Sequence, residues 1–313
     1  MPSQRIYKYS PTWGTVLSKK KKKNYKYSAK LSNHSMEALL LFIAILSVAT
    51  VRCESLAWSV IASNRTTFML RNNCQYTVWP GTLSGNGAAV LGGGGFELAP
   101  HNIISFSAPP GWSGWFWART GCSFSNNTAV GPKCATGDCG GVLNCTLGGT
   151  PPVTLAEFTL ANQANEKDFY DVSLVDGYNV GIGITALNEL PKGSSCGYAG
   201  CVSDVNARCP PELRVKEHNT TETIACMSAC EAFQTDQYCC TGAHSVPRSC
   251  GPTKYSKLFK AACPSAYSYA YDDPTSTFTC SAGTNYLVTF CPSGATAKAA
   301  HFWPRLPGHF LHH

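Results

Sequence analysis

No apolar run in this chain is long enough to span a bilayer. The stretch from Ala38 to Val51 holds 14 residues, and the tail from Ala295 to His313 carries no such run, whereas a membrane helix needs about 20. Neither a stable membrane span nor a lipid-anchor signal is therefore expected. A His-Glu-x-x-His helix is absent, which removes the motif-based case for a zinc protease of that class. Histidine is sparse: between Cys74 and Cys291 only His101, His218 and His244 occur, at unrelated positions, so a zinc site would lack the usual partners of thiolate ligands. Residues 1–35 contain no acid, and no internal repeat is evident.

Cysteine is what the chain has in abundance. Sixteen of the 17 fall between Cys74 and Cys291, and at this density they are disulfides or metal ligands, according to the redox compartment. The run Ala38 to Val51, with small residues such as Ala57 and Ala62 downstream, suits the core of a secretory signal better than a buried helix. An oxidising compartment follows. A zinc reading of Cys226-Met-Ser-Ala-Cys230 or of Cys139 to Cys145 would need reduced thiolates there, so no metal and no cofactor is expected.

Residues 1–35 hold eight lysines and one arginine, five of the lysines in the tract Lys19 to Lys23. A basic arm for nucleic acid or nuclear import is one reading, but nuclear targeting conflicts with disulfide chemistry. The favoured order is an upstream extension over 1–35, a signal peptide over 36–62 that starts at Met36 and contains Cys53, a folded domain over 63–294 and a C-terminal tail over 295–313. From Ser63 onward 15 Lys and Arg face 16 Asp and Glu. That balance removes the argument for nucleic acid or an anionic membrane as partner and favours an uncharged one. The sequons at Asn64, Asn126, Asn144 and Asn219 are compatible with a secreted glycoprotein, Asn144 being disfavoured by the neighbouring Cys145.

Short alternating stretches at Thr66 to Leu70, Thr154 to Leu160, Tyr170 to Leu174 and Leu287 to Phe290 are separated by Gly, Pro and Asn clusters. This is the pattern of an antiparallel β-sandwich, and the fold class is mainly β. A different texture runs from about 196 to 263, where cysteines crowd. Cys226, Cys230 and Phe233 recur at helical spacing, as do Tyr255, Leu258, Phe259 and Ala262, with Lys254, Lys257 and Lys260 read as the solvated side of the second helix. A smaller disulfide-rich lobe with short helices, inserted in the sandwich, is the expectation.

Spacing alone leaves roughly two million pairings of sixteen cysteines. The segments Arg71-Asn-Asn-Cys74-Gln-Tyr-Thr-Val-Trp-Pro80, Cys134 to Cys145, Pro151-Pro-Val-Thr-Leu-Ala-Glu157, Asp168-Phe-Tyr-Asp171-Val-Ser-Leu-Val-Asp176-Gly-Tyr and Tyr238-Cys-Cys240 together resemble the thaumatin-like proteins, the pathogenesis-related, osmotin- and zeamatin-like group of plants. The resemblance runs from about Thr66 to Pro292. It implies eight bridges: Cys74 with Cys291, Cys122 with Cys134, Cys139 with Cys145, Cys196 with Cys280, Cys201 with Cys263, Cys209 with Cys226, Cys230 with Cys239, and Cys240 with Cys250. Each restricts the unfolded chain, by roughly 2–4 kcal/mol and not additively.

The carboxylates are the remaining reactive groups. Glu157 alternates with Ala156 and Phe158, so it should point away from the core. Asp171 alternates with Tyr170 and Val172, while Asp176 before Gly177, and Asp272 and Asp273 before Pro274, are also what turns use. The resemblance implies a cleft between sandwich and lobe lined by one arginine and four acids. The acids carry over to Glu157, Asp171, Asp176 and Asp273, with Asp272 the second choice for the last. The arginine's place is taken by Trp115, and Arg119 matches a separate arginine of the family. A missing cation should let at least one clustered carboxyl keep its proton to higher pH. The indole could stack on a sugar or simply pack.

What the resemblance implies is a monomeric, secreted, antifungal plant defence protein, extracellular or apoplastic with the vacuole as a further destination, that binds β-1,3-glucan of the fungal wall in that cleft. Two alternatives stand beside it. One is a weak endo-β-1,3-glucanase using two of the acids, with carboxyls about 5 Å apart for retention and about 6.5–9.5 Å for inversion. The other is an inhibitor of a foreign hydrolase, for which loops matter and the cleft does not.

Overall fold

The computed structural model describes residues 65–85, 87, 89–124, 133–187, 196–217 and 220–293. The segments expected to be a signal peptide, an upstream extension and a tail, and the sequons at Asn64, Asn126 and Asn219, lie outside them.

The strands form where alternation is sharpest. In β1 (Thr66–Asn72) the residues Phe68, Leu70 and Asn72 are buried and those between them are half-buried, as expected of a strand with one face on a core. Two five-stranded sheets result. One runs β3 (Ile103–Ala108), β1, β12 (Tyr286–Phe290), β7 (Ile182–Ala186), β8 (Ala199–Gly200). The other runs β11 (Phe278–Ser281), β6 (Lys167–Ser173), β5 (Leu155–Thr159), β4 (Ser113–Trp117), β2 (Gly81–Ser84). Every ladder in the two sheets is antiparallel except β1 against β12, which pair in parallel with Phe68 opposite Tyr286. The first and last strands thus lie side by side, and the Cys74–Cys291 bridge closes the chain just beyond them.

Between the sheets sits an aromatic core. Phe68 meets Phe158 with ring centroids 4.7 Å apart and Phe116 at 5.1 Å, and Tyr286 meets Phe158 and Tyr170 at 5.2 Å each. Tyr286 is fully buried, so its hydroxyl needs a partner. It donates to Asp168 Oδ2 over 2.8 Å, while Asp168 Oδ1 accepts the Ala161 N–H. Burial pushes the Asp168 carboxyl up from its ordinary value, and the two donors pull it part of the way back.

The lobe is a chain of short pieces held by bridges. It contains a two-stranded ladder of β9 (Arg214–Lys216) and β10 (Thr223–Cys226). The helices are α1 (Ala229–Phe233), α2 (Asp236–Cys239), α3 (Lys254–Ala262) and α4 (Asp273–Ser276). In and around it the structure joins Cys196 to Cys280, Cys201 to Cys263, Cys209 to Cys226, Cys230 to Cys239 and Cys240 to Cys250. Cys122 with Cys134 and Cys139 with Cys145 staple the loop after β4. Two local expectations are corrected. Cys226 ends β10 instead of sharing a helix with Cys230, because it pairs with Tyr178 of the sandwich. Lys260 is not on a solvated side: its ammonium donates to Asp272 Oδ2 at 2.9 Å, the Ala266 carbonyl and Ser276 Oγ, and fixes the approach to α4.

Arg119 anchors the long loop to the sheet. It is fully buried, and burial lowers its pKa to about 10. Its Nε donates to the Trp79 carbonyl, Nη1 to Val142 and the Cys139 sulfur, and Nη2 to Leu143 and Pro80. Five donors thus meet carbonyls or sulfur, the arrangement a planar fork makes possible. We expect Arg119→Met to lower stability by roughly 3–5 kcal/mol, since four carbonyls lose a charged donor. A urea midpoint shift worth less than about 1 kcal/mol would refute that role.

Candidate functional site: an acidic row on the outer sheet face

Strand register brings three of the nominated residues together. Trp115 lies opposite Glu157, and Glu157 lies opposite Asp171. Their strand neighbours Phe116, Ala156, Phe158, Tyr170 and Val172 are buried, so the indole and the two carboxylates share the outer face. Directly opposed like charges cost energy in a sheet, which makes the Glu157–Asp171 pair unexpected on grounds of stability alone. On one side of this row Trp117 and Leu155 are sealed by the Cys139–Cys145 loop, with Trp117 Nε1 donating to the Gly137 carbonyl. The indole of Trp115 packs against this patch beside Leu83. On the other side the face opens at Ser113, Thr159 and Phe169. Phe169 is 49% exposed and sits two residues before Asp171 on the same face, so aromatic surface flanks the acids at both ends.

Asp273 enters through a tyrosine. Tyr267 runs alongside β6, its N–H donating to the Val172 carbonyl and its carbonyl accepting from Leu174. Its hydroxyl donates to Asp273 Oδ1 over 3.0 Å and is hydrogen-bonded to Thr277 Oγ1. With one proton committed to Asp273, the threonine must be the donor in the second contact. Burial raises the Tyr267 phenol above its ordinary value, and the charges of Asp273 and Asp171 push the same way. The side chains of Tyr267, Asp273 and Asp171 are therefore close enough to feel one another. Asp272 has a different place, taken up by Lys260 and by the Ser268 N–H and hydroxyl.

The family model described as Thaumatin family matches residues 72–292. This chain belongs to the thaumatin family. It is 60% identical to pathogenesis-related protein 5 of Arabidopsis thaliana over 236 residues, 75% of this chain and 93% of that one. It is 55% identical to the pathogenesis-related thaumatin-like protein 3.5 of Cryptomeria japonica over 251 residues, 79% of this chain and 100% of that one. A protein of Prunus avium named glucan endo-1,3-beta-glucosidase is 47% identical over 230 residues, 72% of this chain and 90% of that one.

In this thaumatin-family chain Asp176 occupies the turn after β6, where its carbonyl accepts the Val153 N–H. Its charge acts on Glu231 of α1, an acid that the sequence reading missed. Ser228 Oγ accepts the Glu231 N–H, and the Glu231 carboxylate accepts the Ser228 N–H. The sequence signal was there as Ser228-Ala-Cys-Glu231, a capping box. Glu231 Oε2 is shielded from solvent and accepts no hydrogen bond. Burial first, then the negative charge of Asp176, raises the Glu231 carboxyl to about 7. None of the five nominated residues lines the cavity of about 50 Å³ that Val175, Ser228, Tyr255 and Tyr269 help to enclose in the lobe. Among the described residues no group of three or more His, Cys, Asp or Glu is placed to hold a metal, and no helix is long and apolar enough to cross a membrane. Asn144 Nδ2, the atom a glycan would use, donates to the Gly93 carbonyl.

A carboxyl whose folded value is raised stabilises the fold at low pH and loses that contribution as pH climbs through the folded value. Glu231→Gln keeps the capping geometry and removes the titration. The melting temperature of the parent relative to Glu231→Gln should therefore fall between pH 4.5, the ordinary carboxyl value, and about 7. Parallel Tm curves across that window would show that the Glu231 carboxyl is not raised.

Proposed function

We propose that this chain is a secreted plant defence protein that binds β-1,3-glucan of the fungal wall on the outer face of the sheet, with Trp115, Glu157 and Asp171 as its centre. One observation carries the proposal: the cross-strand row of an indole and two opposed carboxylates, with Phe169 at its open end. Neutral sugars offer hydroxyl donors to carboxylate acceptors and apolar ring faces to aromatic surfaces. Asp273 and Tyr267 extend the polar surface along the same edge. The near balance of charge from Ser63 onward agrees with a neutral ligand. Secretion is supported by eight disulfides, which persist in oxidising compartments.

Hydrolysis is the second reading, favoured by the Prunus avium relative's name and by the adjacency of Glu157 and Asp171. Opposed residues on neighbouring antiparallel strands have Cβ atoms about 4.5–5.5 Å apart. That spacing is nearer the carboxyl separation of retaining enzymes than of inverting ones. Retention would then need one of the pair as nucleophile and the other as proton donor.

Sedimentation with insoluble β-1,3-glucan, run beside reducing-end release at mildly acidic pH, separates the readings. Trp115→Ala and Phe169→Ala should each weaken retention roughly three- to tenfold, while Glu157→Gln, which keeps an acceptor oxygen, should stay within about threefold of the parent. Reducing ends released by the parent and abolished in Glu157→Gln would replace binding with catalysis. Failure of the parent to sediment with glucan, or equal retention by all variants, would refute this site.

A further inference from the structure

A recess of about 330 Å³ lies where the segment after β1 meets the approach to β7 and the loop after β8, beside the Cys74–Cys291 bridge. No residue of the acidic row lines it, and neither lysine nor arginine does. Its volume is in the range of small-ligand sites. Tyr76 stands at its edge with 49% of its surface exposed, its hydroxyl 3.7 Å from the Cys291 sulfur. Asp204 projects from the facing loop.

The lining is rich in acceptors. Asp204 Oδ1 takes the Asn206 N–H over 3.0 Å, and the buried Tyr178 hydroxyl donates to the Asp204 carboxylate while accepting from Val205. Asn206 uses both of its amide protons on the carbonyls of Asn179 and Ile224, at 3.0 and 3.3 Å, which fixes which way its amide points. Its Oδ1 is then left shielded from solvent with no donor. Burial first, then Asp204 and Glu222, raise the Tyr76 phenol, and burial first, then Asp204, raises that of Tyr178.

We propose that this recess is a second saccharide site, separate from the acidic row, whose ligand is a protonated amino sugar. The ammonium pairs with Asp204, the apolar sugar face lies on the ring of Tyr76, where a cation over an aromatic face is also favoured, and ring hydroxyls donate toward the amide of Gln75. A neutral sugar would make no ion pair with Asp204, and an anionic one would be repelled by it.

The probes are a glucosamine tetramer, its fully N-acetylated counterpart with the same skeleton and no charge, and a β-1,3-glucose oligomer, each titrated calorimetrically into the disulfide-bonded protein. We expect the free-amine tetramer to bind at least about tenfold more tightly than the N-acetylated one, the loss typical of a removed charged hydrogen bond. Asp204→Asn, which keeps an acceptor for Tyr178, and the surface variant Tyr76→Leu should each cost a similar factor, while Glu157→Gln should leave this binding unchanged. Equal affinity for the amine and N-acetyl forms, or an Asp204→Asn protein that binds as the parent does, would overturn the proposal. Loss of amine binding in Glu157→Gln would transfer the ligand to the acidic row and equally overturn a second site. Tight binding of butylammonium alone would overturn its saccharide character.

Discussion

The inner-face aromatic packing is the constraint on which the arrangement depends. Phe68, Phe116, Phe158, Tyr170 and Tyr286 touch one another across the two sheets, and large buried rings dominate the energetics of such a core. Side chains alternate strictly along a strand, so fixing Phe116, Phe158 and Tyr170 inward also fixes Trp115, Glu157 and Asp171 outward. A slip of one residue in β5 would expose the rings and bury a carboxylate, and both changes are costly. The candidate site is therefore held by a core it does not touch.

Outside the sheets the described residues form only short elements, and fixed points hold them in place. Asp138 gathers four backbone N–H groups, of Lys133, Cys134, Gly140 and Gly141, into one carboxylate. Arg119 does the converse, joining the carbonyls of Val142 and Leu143 in the same loop to those of Trp79 and Pro80 just before β2. The loop they organise seals Trp117 and Leu155 from water and leaves Trp115 at the rim of the covered patch. How far the row is exposed is thus decided by a loop and its bridges.

The distribution of acids follows a similar logic. Glu157 and Asp171 face one another, Asp273 and Asp171 both act on Tyr267, Asp272 is engaged by Lys260, Asp168 sits in the core under Tyr286, and Glu231 caps a helix. Six carboxylates close together in sequence or space have different surroundings, and the surroundings distinguish chemistry from scaffolding. Burial pushes both Asp168 and Glu231 toward neutrality, Glu231 with the added charge of the neighbouring Asp176.

Much of this was legible in the sequence. Alternation around Phe68, Phe158, Tyr170 and Val288 marked the strands, the face of Glu157 followed from its apolar neighbours, and the set Tyr255, Phe259 and Ala262 marked the buried side of α3, because these depend on residues near one another in the chain. The density of cysteine showed that the domain is stapled, although its pairing was open to spacing and came only through family resemblance. Tertiary structure alone decided that β1 and β12 lie in parallel, that Cys226 ends a strand, that Lys260 turns inward to Asp272, and that Tyr267 and Phe169 join the acidic row. Each of these rests on contacts between distant segments, whose energy depends on a geometry that local periodicity does not encode.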